Sequence, residues 1–188
     1  MRTKDYDKQH RIKEALIRVT LQEGMSGASI SKIAREAGVS PATIYVYYDS
    51  KEAMLADIFA EYSHQSYHYL MDRVDPKMAA ADLIDAIVRG YYAYSTEHEE
   101  VFSFVEQCSR CPTLSEQVSE QECCCEIFDL FHTYQDRGLI RRCSDASLAA
   151  VLFAPVRFLA NNSCLQAADP DAQLSELVQM LQQLLCRG

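Results

Sequence analysis

The chain has 188 residues, 48% of them hydrophobic and 24% charged, with no tryptophan and a net charge of −9. That length suits one or two domains with a real core. The longest apolar run, residues 148–160, is broken by Pro155 and Arg157 and is too short to span a bilayer. The opening Met1-Arg-Thr-Lys-Asp-Tyr-Asp-Lys is charged throughout and unlike a secretory signal, so a cytoplasmic protein with no membrane partner is expected.

The first helix is predicted from Tyr6 to Glu23, with Ile12, Ala15, Leu16, Val19 and Thr20 on one stripe and Gly24 at its end. A second, short helix puts Ile30, Ile33, Ala34 and Ala37 on one face behind a Ser29 cap. Gly38 ends it, because the position after a helix often needs a left-handed backbone. Ser40 then caps a third helix that has Pro41 at its first position, where a missing N–H costs nothing. Two short helices around a glycine turn spell a helix-turn-helix, whose second helix enters the major groove of DNA.

Charge agrees with that reading once it is divided along the chain. Residues 1–51 carry nine Lys/Arg against six Asp/Glu, net +3, and residues 52–188 carry nine against 21, net −12. A basic head on an acidic body suits a DNA reader, because phosphate attraction is local under salt screening.

Further helices follow without β-branched alternation. Ser50 caps a fourth that carries Met54, Leu55, Ile58, Phe59 and Tyr62 and runs to about Arg73. Asp75-Pro76 is read as the start of a fifth, with Leu83, Ile84, Ile87, Val88 and Tyr91. Thr96-x-x-Glu99 and Thr113-x-x-Glu116 are read as capping boxes for a sixth and seventh, and Gly138 closes the seventh. An eighth runs from about Ser144 to Asn162 with Pro155 inside, and Asp169-Pro170 opens a ninth. The fold class is therefore all-α, of about nine helices. The expected division is a DNA-binding domain at 1–51, extending into helix four to about residue 57, and a helical ligand-binding and dimerisation domain at 52–188.

The run Ile33-Ala34, Ala37-Gly38-Val39-Ser40, Thr43-Ile44-Tyr45, Tyr47-Tyr48, Ser50-Lys51-Glu52 resembles the TetR (tetracycline-repressor) family of transcriptional regulators. Tyr48 stands where that family most often has phenylalanine. On the third helix Ile44 and Tyr48 are assigned to the small core, leaving Ser40, Pro41, Ala42, Thr43, Val46 and Tyr47 open, with Tyr45 close by. Thr43 can bond a phosphate or base edge, and Ala42 and Val46 suit thymine methyls. The resemblance assigns Tyr45, Tyr47 and Lys51 to phosphates and Ser31 to a base edge or phosphate. Ser29, capping helix two, turns free N–H groups outward.

Dense aromatics in the middle of the chain suggest a polar-tipped apolar cavity, since buried tyrosine hydroxyls need partners. The resemblance implies that a small molecule binds there and releases DNA. The candidate lining is Tyr62, Tyr91, Phe104, Cys108, Cys124, Phe128 and Phe158. Helix nine repeats Leu174, Leu177, Leu181 and Leu184, and helix eight offers Leu148 and Leu152. The resemblance implies that these helices pair with their symmetry mates as a four-helix bundle, so a homodimer is expected.

The leading expectation is a ligand-responsive regulator: a repressor released from a double-stranded DNA operator by a small apolar or amphipathic effector. It is expected to have no catalytic residues, metal or cofactor. A redox- or metal-responsive regulator is the alternative. Cys108-x-x-Cys111 and the run Cys123-Cys124-Cys125, with His98 and His132, supply donors. Against it, three successive helical residues point about 100° apart and cannot converge on one metal. A small helical enzyme comes third, since no phosphate loop or nucleophile elbow is present and the helix-turn-helix would go unexplained.

Overall fold

The computed structural model describes residues 2–114, 123–161 and 169–187, without the side chains of 2–5 and 123–125. The described helices are α1 (Arg2–Gly27), α2 (Ile30–Ala37), α3 (Pro41–Ile44), α4 (Lys51–Met71), α5 (Ala80–Glu97), α6 (Glu99–Ser109), α7 (Cys123–Asp136), α8 (Asp145–Asn161) and α9 (Pro170–Leu185). The architecture is all-α. Two compact units form: residues 1–64 with 99–121, and residues 65–98 with 122–188.

In the first unit α1 packs on α2 and α6, and α2 packs on α3. Ile12, Ala15, Leu16 and Val19 of α1 are buried, as are Ile33, Ala34 and Ala37 of α2 and Phe102, Phe104 and Cys108 of α6. Gly24 takes φ +75, a left-handed backbone that breaks α1 where the sequence placed its end; one further turn carries the helix to Gly27. The unit thus holds α6 as well as the three helices and the start of α4 that the sequence assigned to the head.

The second unit builds its core from α5, α7, α8 and α9, with α5 packed on both α8 and α9. Leu83, Ile84, Ile87 and Val88 of α5 meet Phe131 and Tyr134 of α7, Leu148, Leu152 and Val156 of α8, and Leu174, Val178, Leu181 and Leu185 of α9. Arg89 ties α5 to α9, donating to Asp171 at 3.0 Å and to Ser175 Oγ at 2.8 Å while also bonding Asp85. Gly138, at φ +73, stops α7 and lets Leu139 N–H return to the Tyr134 carbonyl. The chain then pairs with the C-terminus, Arg141 N–H donating to the Leu185 carbonyl at 2.8 Å and Arg187 N–H to that of Leu139 at 3.0 Å.

Several expected boundaries are corrected. Asp75-Pro76 makes a turn, with Asp75 accepting from Lys77 N–H, and α5 starts later, behind Ala79 and without a side-chain cap. The Thr96 hydroxyl bonds back to the Tyr92 and Ala93 carbonyls inside the last turn of α5, so it caps nothing on α6. Glu116, the far end of the other proposed capping box, lies outside the described residues. At the remaining starts the signals hold: Ser144 Oγ accepts from Ser147 N–H, and Asp169 accepts from Asp171 and Ala172 N–H.

Candidate nucleic-acid interface

The turn between α2 and α3 is built by its caps. Ser29 Oγ accepts from Lys32 N–H at the start of α2, and Gly38, at φ +66, receives its end. From there Val39 N–H reaches the Ala34 carbonyl at 2.9 Å. Ser40 Oγ accepts from Thr43 N–H at 3.2 Å, and Pro41 occupies the first position of α3. Four residues are too few for a stable helix alone. Packing on α2 and the continuing bonds of Tyr47 and Tyr48 N–H to the Ile44 carbonyl hold α3 in place.

That packing sorts the recognition residues. Ile44 is fully buried, and Tyr48 is buried enough that its hydroxyl pKa is pushed up to about 12, mainly by burial and partly offset by the neighbouring Gln9 side chain. Two residues off along the turn, about 200° round, the opposite face is open. Ser40, Pro41 and Ala42 are exposed, Tyr45 is 57% exposed and Val46 77%. Thr43 and Tyr47 are half-buried, Ser31 of α2 is exposed, and Ser29 is half-buried in its cap. The Thr43 hydroxyl lies 2.9 Å from Ser40 Oγ, so the two share a hydrogen bond.

Lys51, assigned to a phosphate, begins α4 beside the Ser50 cap, whose Oγ accepts from Ala53 N–H at 3.0 Å. Its ammonium group donates to the Met25 carbonyl at 3.3 Å and stands 3.7 Å from Glu52. The sequence could not show how many of the head's cations are spent on carboxylates. Lys13 pairs with Glu61, Arg18 with Glu36 at 2.9 Å, and Lys32 with Glu23. Among the described residues Lys8, Arg11 and Arg35 form no ion pair and are exposed, which makes them phosphate candidates that the motif does not single out. Exposure on the same unit is the signal that finds them.

Residues 12–58 match the family model of bacterial regulatory proteins of the tetR family. The helix-turn-helix segment of this chain is thus similar to that of the TetR family of transcriptional regulators. The chain's likeness to a fatty acid metabolism regulator protein of Bacillus subtilis (strain 168) is 28% identity over 80 residues, covering 43% of this chain and 41% of that one. Among solved structures, a TetR-family regulator from Marinobacter aquaeolei VT8 superposes with a TM-score of 0.87 at 24% identity, over 100% of both chains. The regulator FadR from Bacillus subtilis, solved with stearoyl-CoA, gives 0.72 at 21%, over 92% of this chain and 97% of that one. These neighbours share the all-α TetR fold, and the family is one of DNA-binding regulators rather than enzymes. No helix among the described residues is long and apolar enough to cross a membrane.

The residues assigned to a ligand fall in both units. Tyr62, Phe104 and Cys108 are buried in the first. Tyr91 and Phe128 are half-buried against the core of the second, where the Tyr91 and Phe153 rings lie 4.8 Å apart. The side chain of Cys124 lies outside the described residues. Phe158 is exposed, lining a groove of about 320 Å³ with Pro155, Leu159, Leu177 and Met180. It follows the inward Val156 by two residues, which turns it to the outer face of α8.

The residues assigned to the dimer divide between two faces. Leu148, Leu152, Leu174 and Leu181 are buried in their own subunit's core; Leu177 is half-buried, and Leu184 is exposed. The inward set on α9 is Leu174, Val178, Leu181 and Leu185, so the outward apolar residues are Met180 and Leu184 with Leu177 at the edge. A second cavity, about 450 Å³, lies in the first unit between Met25, Lys51, Leu55, Ala56, Cys111 and Leu114. Burial pushes the Cys108 thiol up to about 12, which keeps it protonated at neutral pH and a poor nucleophile. Among the described residues no group of three or more His, Cys, Asp or Glu side chains is placed to hold a metal ion.

Proposed function

We propose that this chain is a TetR-family regulator, a homodimeric repressor that acts in the cytoplasm on a near-palindromic operator and leaves it when an amphipathic acyl ligand binds. The observation that carries the reading is the open face of α3, held between the Ser40 cap and the buried Ile44 and Tyr48 on a basic head. The head, to about residue 57, reads DNA, and the remainder binds the ligand and dimerises. The acyl class is supported by two relatives, a fatty acid metabolism regulator and a FadR solved with stearoyl-CoA. Release follows as a population shift, because a ligand favouring one body conformation changes operator affinity by its differential binding to the two states.

A titration of the full chain against the DNA upstream of its own gene, with and without stearoyl-CoA, tests this. Sequence-specific, salt-dependent binding weakened five- to 150-fold by the ligand, about the usual coupling range, is the expected result. Binding indifferent to stearoyl-CoA removes the acyl reading, and absence of specific binding removes the operator reading.

A further inference from the structure

The exposed face of the recognition helix carries methyl groups where base-reading proteins usually carry guanidinium or amide groups. From Ser40 to Tyr48 there is no Arg, Lys, Asn or Gln. The two-point contacts that select guanine through Arg or Lys, and adenine through Asn or Gln, are therefore not available from this segment.

The short hydroxyls that remain, those of Ser40 and Thr43, are partly committed. Ser40 Oγ accepts from Thr43 N–H, and the two hydroxyls share a bond at 2.9 Å. Each carries one proton, and one of the two is used between them, so the pair offers a single free donor. One hydroxyl donor does not define a base pair. Two exposed side chains on this face are apolar: Val46, at 77% exposure, and Ala42, one turn before it. Both stand opposite the buried pair Ile44 and Tyr48, and exposed valine has no packing role within the head. The only apolar group that a base pair presents in the major groove is the thymine C5 methyl.

We infer that the operator is read through thymine methyl groups, contacted by Ala42 and Val46, with the tyrosines and cations serving the backbone. The inference rests on the operator-binding reading above. It names the base feature that confers specificity: half-sites carry thymine at the positions facing these two residues, and uracil there is a poor substitute because it lacks only that methyl.

The test uses the footprinted operator synthesised with deoxyuridine for thymidine, one position at a time within each half-site, and titrated with the full chain. Burial of one methyl predicts about a fourfold loss per position, and roughly fifteenfold when the equivalent positions of both half-sites are changed. Val46→Ala, whose folding is checked by circular dichroism, should weaken binding to the thymidine operator. It should leave binding to the deoxyuridine operator unchanged at the position that Val46 touches, so that the thymidine preference there disappears. Equal affinity for both operators, each still preferred over scrambled DNA, overturns the methyl reading and leaves specificity to DNA shape. A thymidine preference that survives in both Val46→Ala and Ala42→Gly also overturns it. Failure to prefer any operator over scrambled DNA is the distinct failure of the operator reading, and takes this inference with it.

Discussion

The outer face of α9 offers a sharp test of how the subunit divides its leucines. Leu181 is 4% exposed and Leu184 is 46% exposed, although both belong to one heptad-like stripe. Leu181→Glu removes a buried leucine, worth about 2–5 kcal/mol, and leaves an unpaired carboxylate among apolar groups at a further cost of several. That rivals the whole stability of an ordinary domain, about 5–15 kcal/mol. The variant should be largely unfolded, or melt lower by about 10 °C or more. Leu184→Glu should change subunit stability by only about 0.5 kcal/mol, the usual range at exposed sites. In a two-fold dimer, however, it places a carboxylate on both sides of the contact. Burying those charges should weaken association by about 3 kcal/mol or more, roughly 150-fold.

Sedimentation velocity across a dilution series reads the association. Melts taken where wild type has itself dissociated remove the contribution of dimerisation to the melting temperature. The reasoning fails if Leu184→Glu sediments like wild type at every concentration, since the two-fold contact would then lie away from Met180 and Leu184. It fails differently if Leu181→Glu folds with an unshifted melt, since that would contradict the burial of Leu181.

Three further outcomes follow. Gly38→Ala should cost about 1–2 kcal/mol, because a Cβ there meets only Arg11 Nη1 at 3.8 Å and the penalty comes from φ +66; Gly38→Asn should cost less, as thermal melts would show. Lys51→Ala should keep its circular dichroism spectrum but reduce the salt slope of operator binding by about one unit; an unchanged slope would mean that Lys51 stays on the Met25 carbonyl when DNA is bound. Cys108 and Tyr48 are acids whose folded pKa values are raised to about 12 by burial, so the unfolded chain releases these protons first. Stability should be intact below about pH 9 and fall as pH rises towards 12, and Cys108→Ala should flatten part of that decline in alkaline melts.

The head was legible because its signals are local and chemical. Ser29, Gly38, Ser40, Pro41 and Ser50 each solve a backbone problem at one helix end, and each occupies the predicted position. The inward face of α3 followed from the same spacing, with Ile44 and Tyr48 buried. Where a side chain had two partners to choose between, the sequence was silent. Thr96 had the spacing of a cap but bonds back into its own helix, and Lys32 and Arg18 look like free cations until Glu23 and Glu36 are seen beside them. The leucines of α9 were ambiguous for a related reason. Leu174, Leu177, Leu181 and Leu184 fit one stripe at a spacing of three and four, and so do Leu174, Val178, Leu181 and Leu185. Only the position of α5 decides which of the two faces inward.

The same competition between folding and reading shapes the recognition surface. A helix as short as α3 exists only because its start is capped and Ile44, with Tyr48 in the turn beyond it, is buried, which commits Ser40, Pro41, Ile44 and Tyr48. The Ser40 cap in turn engages the Thr43 hydroxyl, so the residues that stabilise the turn also consume its short hydrogen-bonding side chains. What stands exposed to meet DNA is what folding does not need: Ala42, Val46 and Tyr45 between them. Specificity on such a helix is pushed away from hydrogen bonds and towards methyl contact and shape. Replacing an outward residue by arginine or asparagine would therefore alter the base read at that position without disturbing the turn that holds it.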